Sequence, residues 1–208
     1  MKKILLCISL LTGTGAYAQF GIGGQANWMK YGGGGESFIG LGVNGSYVVA
    51  DDYPIRLSIN FGLPKSTSTQ TSAYALSSVT TPSSISVNYE EKISLLNIWL
   101  DVQKFFGKGD YEDGGFYGAV GFGYTSAKVK YSVDSYNETL YSAGTFEDQS
   151  VGQLSIRGML GFDKGLDFAN IFGEAGLNLS ANSANDQEIQ VNLPSFIFVS
   201  VGLRKWIN

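Results

Sequence analysis

The sequence predicts an all-β protein: an eight-stranded antiparallel up-and-down β-barrel that crosses a membrane. Three observations point there. Apolar and polar residues alternate with period two in eight successive segments. Past residue 18, no apolar run approaches the roughly 18 residues that a membrane helix needs. Three compact connections fall on one side and both long ones on the other, with 31–36 and 184–187 as short members of the second set, the asymmetry of a barrel with short turns on one side of a membrane and larger loops on the other. Composition agrees. The 208 residues fit one domain. They include 28 Gly but only four Pro, which excludes a collagen-like or Pro-rich disordered chain. The charged fraction is 15%, against a usual value of about 25%.

Residues 1–18 read as a signal peptide, and residues 19–208 as the barrel domain. Met1-Lys2-Lys3 is a short basic start, 4–11 is apolar apart from Ser9, and Ala16-Tyr17-Ala18 is a small-x-small cleavage signal. Cleavage before Gln19 removes Cys7, the one Cys of the chain. No disulfide framework, thiol nucleophile or Cys-ligated metal then remains. It also removes Lys2 and Lys3, leaving 12 basic against 18 acidic residues and a net charge of −6. Such a chain has no electrostatic basis for binding nucleic acid.

The eight strands follow in order. The first, 19–30, sets Phe20, Ile22, Ala26 and Trp28 against Gly23, Gln25 and Asn27. The second, 37–49, sets Ile39, Leu41 and Val43 against Gly40, Gly42 and Asn44. The third, 55–65, has the clearest alternation: Ile55, Leu57, Ile59, Phe61 and Leu63 against Arg56, Ser58, Asn60 and Gly62. The fourth, 85–106, sets Leu96, Ile98, Leu100 and Val102 against Asn97, Trp99, Asp101 and Gln103. Its upper half has the opposite phase, with Tyr89, Ile93 and Leu95 apolar, which predicts a bulge near Leu95-Leu96. The fifth, 115–133, alternates Phe116, Val120, Phe122 and Tyr124 with Tyr117, Ala119, Gly121 and Thr125. The sixth, 149–163, alternates Leu154, Ile156, Leu160 and Phe162 with Gln153, Ser155, Arg157 and Gly161. The seventh, 170–183, and the eighth, 195–207, do the same around Glu174 and Arg204. Compact turns are expected at 50–54, 107–114 and 164–169, and long loops at 66–84 and 134–148.

In a membrane barrel the apolar face meets lipid and the polar face lines the interior. Closure satisfies every strand edge. The three arginines, Arg56, Arg157 and Arg204, all sit mid-strand on the polar face, with Asp101 and Glu174. An Arg facing lipid at mid-depth would cost roughly 2–4 kcal/mol, so these five residues are expected to form an interior polar network. Eight strands enclose a space that side chains nearly fill, which favours a rigid plug over a pore lining. Gly21, Gly23, Gly40, Gly42, Gly62, Gly121, Gly123, Gly161, Gly176 and Gly202 mostly fall on the inner face, where small residues relieve crowding. Aromatic residues near strand ends, among them Trp28, Tyr31, Phe38, Tyr53, Phe105, Phe106, Phe116, Phe162, Phe168, Phe196 and Trp206, are expected to form interfacial girdles.

Signal peptide, eight alternating strands and the closing Val-Gly-Leu-Arg-Lys-Trp-Ile-Asn resemble the small bacterial outer-membrane β-barrel family, whose known shapes include OmpX and the OmpA membrane domain. The Gly- and Tyr-rich texture is similar to porin-family barrels of Bacteroidetes type. The resemblance implies location in the bacterial outer membrane, with outer-membrane lipid and the barrel-assembly machinery as partners. It implies an assembly signal at Leu203, Trp206 and Ile207, where Ile207 stands in the place of the family's terminal aromatic. It also implies that the long fourth and fifth strands project beyond the membrane as a sheet, 85–93 beside 126–133, presenting an edge to extracellular protein or surface ligands.

The function expected is structural or adhesive, exerted by a monomer through its extracellular loops. Two alternatives stand beside it: a narrow porin-like channel, and a soluble secreted ligand-binding barrel with its polarity reversed. Catalysis is not expected. The barrels of this kind that are enzymes imply a catalytic His, and this chain has none. No cofactor is implied. The acidic loop with Asp134, Glu138, Glu147 and Asp148 lacks the Asp-x-Asp-x-Asp-Gly spacing of a Ca²⁺ loop and reads as a solvated segment. The loop at 66–84 is uncharged and rich in Ser and Thr.

Overall fold

A computed structural model of the chain describes residues 19–31, 36–48, 53–106, 112–180 and 195–207. The signal peptide expected at 1–18 lies outside the described residues, as do most of the compact turns. The described chain is antiparallel β-structure: β1 (Phe20–Tyr31), β2 (Ser37–Val48), β3 (Pro54–Ala75), β4 (Ser84–Phe105), β5 (Gly114–Val133), β6 (Tyr141–Ser142), β7 (Gln149–Gly165), β8 (Asn170–Ser180) and β9 (Phe196–Ile207). Eight of these close a ring. Each pairs with its chain neighbour, and β1 pairs with both β2 and β9. The ninth, β6, has two residues and sits outside the ring, on the far end of β3.

Period two decides what faces where. Ile22, Leu41, Leu57, Phe61, Val120, Phe122, Leu160 and Leu177 point outward and are exposed, whereas Gln25, Asn44, Ser58, Asn97 and Ser200 point inward and are buried. Leu57 is 48% exposed beside Ser58 at 0%. A soluble barrel buries its apolar face, so the reversed-polarity alternative does not hold. On β5 the outward apolar residues run from Phe116 to Tyr124, about 27 Å along the strand. At a tilt of about 40° that is roughly 20 Å along the barrel axis, close to the apolar band of about 25 Å that membrane barrels carry.

β3 and β4 have 22 residues each, where about 9–11 cross a bilayer. The third strand therefore does not end at Lys65, and the loop expected at 66–84 is mostly strand. β3 runs on to Ala75, paired with β4 from Lys65↔Ile93 to Tyr74↔Ser84. Ser and Thr fill both faces of this stretch, so the apolar alternation disappears while the β-branched Thr residues keep the backbone extended. β5 continues beside β4 as far as Tyr89↔Val133.

The bulge also differs from expectation. Pairing of β4 with β5 is continuous through Leu95 and Leu96. The extra residue lies in β3, between Gly62 and Lys65. Leu95, Ile93, Val87 and Ile85 keep the inward phase of Asn97, Trp99 and Asp101. What changes along β4 is the chemistry of the inner face, which turns from polar to mainly apolar above Asn97, with Glu91 the charged exception. Leu95 and Ile93 pack inside the ring with Met29, Phe38 and Phe196, whereas Val87 and Ile85 are covered by the segment after β5. It crosses the inner side of the projecting sheet, and Ala73, Val87 and Tyr141 are buried there with Ile85, Val133 and Tyr136 packed around them. The Tyr141 hydroxyl donates to the Pro82 carbonyl at 3.0 Å, and the Leu76 amide donates to the Leu140 carbonyl at 2.9 Å. The loop expected at 134–148 thus forms a small second core with the extension.

Candidate functional site

The interior is built by side chains that meet over glycines. Register places Asp101, Gly121 and Arg157 side by side on β4, β5 and β7, and Tyr117, Gly161 and Glu174 on β5, β7 and β8. In each trio the central glycine leaves its flanking residues the room to reach each other or the lumen. A Cβ at Gly123 would stand 2.5 Å from the Trp99 ring, and one at Gly21 2.8 Å from the Trp206 ring. All ten glycines singled out in the sequence have inward parity.

Four of the five charged residues come together in the lower half of the lumen. Arg157 Nε donates to Asp101 Oδ1 at 2.7 Å, and its Nη2 donates to Asp101 Oδ2. Arg56 reaches the same Oδ2 from the other side, at 3.4 Å. Its Nη1 crosses the lumen to Glu174 Oε1 at 2.5 Å, where the Tyr117 hydroxyl also donates. Arg56, Asp101 and Glu174 are buried, and Arg157 nearly so. The carboxylates and guanidiniums thus compensate each other, as groups withdrawn from water must. Arg204 stands apart. It faces Asp163 at 3.5 Å and the Gln103 carbonyl oxygen at 3.3 Å, between the rings of Phe172 and Trp206. Tyr117, Asp163 and Gln103 were not singled out from sequence, although all three share the inward phase of residues that were. Asp163 lies two residues past Gly161, and Gln103 two past Asp101.

Two further layers lie above. Gln25 Nε2 donates to Asn27 and Asn60, Asn44 Nδ2 donates to Gln25, and Ser200 Oγ donates to Asn27, all at 2.6–2.9 Å. Over them sits an apolar plug of Met29, Tyr31, Phe38, Leu95, Phe196 and Phe198. Trp99 joins the layers, since the Arg157 guanidinium lies 4.5 Å from its ring centroid.

The plug corrects the aromatic girdle. Tyr31, Phe38, Phe105 and Phe196 are buried inside, because each falls on the inward phase at the end of its strand. Trp206 also points inward, over Gly21. Trp28, Tyr53, Phe106, Phe116, Phe162 and Phe168 remain exposed on the outer wall. Of the C-terminal trio, Leu203 and Ile207 face outward and Trp206 does not. Among the described residues, no group of acidic residues is placed to hold a metal ion.

No family model matches the sequence, and no curated protein matches it. Solved structures do resemble the fold. A major outer-membrane protein from Thermus thermophilus superposes with a TM-score of 0.60 at 13% identity, covering 92% of this chain and all of that one. Neisserial surface protein A superposes with a TM-score of 0.55 at 9% identity, covering 90% of this chain and 96% of that one. At such identities the likeness is one of fold: this chain has the architecture of a small outer-membrane β-barrel.

Proposed function

We propose that this chain is a non-enzymatic outer-membrane protein that acts at the cell surface, as a structural or adhesive barrel, through the sheet that projects from one end. In this reading the compact turns are periplasmic and the extension of β3, β4 and β5 is extracellular. The observation that carries it is the pairing pattern of β3. Its neighbour β2 leaves it at Gly62, and β6 covers only Tyr74 and Ala75. Between these points one edge of β3 has no strand partner among the described residues. A row of free backbone donors and acceptors is a template for an added strand. Such edges are commonly guarded by charge, but no charged residue occurs between Lys65 and Glu90.

The filled interior supports this over a channel, since polar, amide and apolar layers close the lumen in succession. The absence of His supports a non-catalytic role. Replacing 66–92 with Asn-Gly would join Lys65 to Ile93, partners in register, by a two-residue hairpin turn. Cells displaying this variant are expected to keep a barrel with heat-shifted gel migration and to lose attachment to protein-coated surfaces. Unchanged attachment, or conductance steps from the purified intact protein in a planar bilayer, would overturn the reading.

A further inference from the structure

We infer that the outer wall of β4 and β5 carries a binding site for anionic phosphate headgroups, formed by Lys92, Lys128 and Lys130. The site rests on the membrane reading above and adds a lipid class to it. Lys92 and Lys130 are direct register partners, and Lys128 lies two residues from Lys130 on the same face. All three are exposed and outward-facing. Directly opposed residues on antiparallel strands hold their Cβ atoms about 5 Å apart, a spacing at which like charges repel.

Among the described residues no carboxylate lies within ion-pairing distance of these lysines. The ion pairs found use Arg56, Lys65, Arg157 and Arg204 instead. The nearby acids, Asp148 beside Lys130 and Glu90 beyond Lys92, form no ion pair with the three lysines. Asp148 accepts from the Tyr131 amide at 3.3 Å, and Glu90 stands opposite Ser132, one outward position beyond Lys92. A like-charged pair that makes no ion pair within the protein is a place for an external anion.

The height of the cluster selects the anion's source. Down the outer face of β5 the order is Lys130, Lys128, Ser126, Tyr124, Phe122, Val120; down β4 it is Lys92, Ser94, Leu96, Ile98, Leu100. The lysines therefore sit one serine above the apolar belt, at headgroup level, and point sideways into the lipid layer. A phosphate carried on a lipid arrives there with its acyl chains already against the belt.

The test uses the full-length mature barrel refolded into phosphatidylcholine vesicles containing a minor fraction of phosphatidic acid. Electron-spin-resonance spectra of spin-labelled forms of both lipids give the relative affinity at the protein surface. The intact protein is expected to prefer phosphatidic acid by on the order of a hundredfold, about fivefold for each of the three lysines. Each of Lys92→Gln, Lys128→Gln and Lys130→Gln should remove on the order of fivefold. Lys30→Gln, an exposed lysine on β1 without a lysine partner, should leave the preference unchanged. Equal affinity for both lipids, or a preference that survives the triple substitution, overturns the site. Displacement of the labelled lipid by inorganic phosphate, beyond the effect of chloride at equal ionic strength, assigns the site to a soluble anion and overturns the lipid assignment. Failure to insert into pure phosphatidylcholine, seen as no heat-shifted band, would instead sink the membrane reading.

Discussion

Gly121 has no side chain, and Asp101 and Arg157 meet in the space that it leaves. Gly161 does the same for Tyr117 and Glu174, whereas Gly158 faces outward with nothing within 4 Å of an added Cβ. Inner and outer glycines on one strand are therefore not equivalent. Gly161→Val is expected to destabilise the barrel by at least the 1–3 kcal/mol typical of overpacking, read as a lower urea midpoint in detergent micelles. Gly158→Ala should stay within about 0.5 kcal/mol. Equal midpoints would show that the interior does not need the vacancy. Asp101 poses a different demand, since it compensates two buried guanidiniums. Asp101→Asn keeps the volume but leaves Arg56 and Arg157 short of a counter-charge, a loss of about 3–5 kcal/mol for a buried pair, measured in the same urea titration. These charges were legible as residues: a weakly charged strand protein that keeps its arginines on one phase is keeping them out of lipid. Their partners were not. Arg56 and Glu174 lie 118 positions apart in sequence, and period two tells which face a residue has but not which residue stands across the lumen. That depends on stagger around the ring, which alternation does not encode.

At the scale of elements, β3 and β4 show how one strand serves two solvents. Up to Gly62, β3 alternates because one face meets lipid and the other the packed interior. Beyond the bulge both faces meet water or a thin cover, and the alternation gives way to Ser and Thr. Alternation ends there because it records environment, and the environment changes before the backbone does. The same holds for the bulge expected in β4: above Asn97 its inner face turns apolar with no change of phase, because Leu95 and Ile93 pack with the plug and Val87 and Ile85 lie under Tyr141, Tyr136 and Val133. Tyr141 holds this cover by a buried ring and one hydrogen bond. Tyr141→Ala should cost about 3–5 kcal/mol locally, as loss of a large aromatic does. The expected result is faster limited proteolysis between Val133 and Gln149, with heat-shifted migration of the barrel unchanged. Cleavage at the original rate would place the hold on the loop elsewhere.

The molecule as a whole is an inverted soluble protein, and its two surfaces fail differently. Leu57 faces outward at mid-belt, so Leu57→Arg sets a charge in hydrocarbon at roughly 2–4 kcal/mol and should deplete the folded, heat-shifted species. Ser58→Arg meets a packed interior instead, beside Asn44 and Trp99 in register. It should insert poorly too, but for want of room, whereas Ser58→Ala adds no volume and should insert normally. Closure of the lumen then bears on transport. A pore requires one continuous wet path, and in the proposed reading three successive layers interrupt it: the Arg56–Asp101–Arg157–Glu174 cluster, the Gln25–Asn27–Asn60 amides, and the plug of Phe38, Phe196 and Phe198. Removing one layer leaves two. Purified protein in a planar bilayer is accordingly expected to be silent, and the double substitution Asp101→Ala with Arg157→Ala silent as well, because the apolar plug sits above the vacated charges. Only opening the plug and the amide layer together should admit ions. Conductance steps from the double variant would mean that the charge cluster alone seals the barrel, and that the layers above it are penetrated by water.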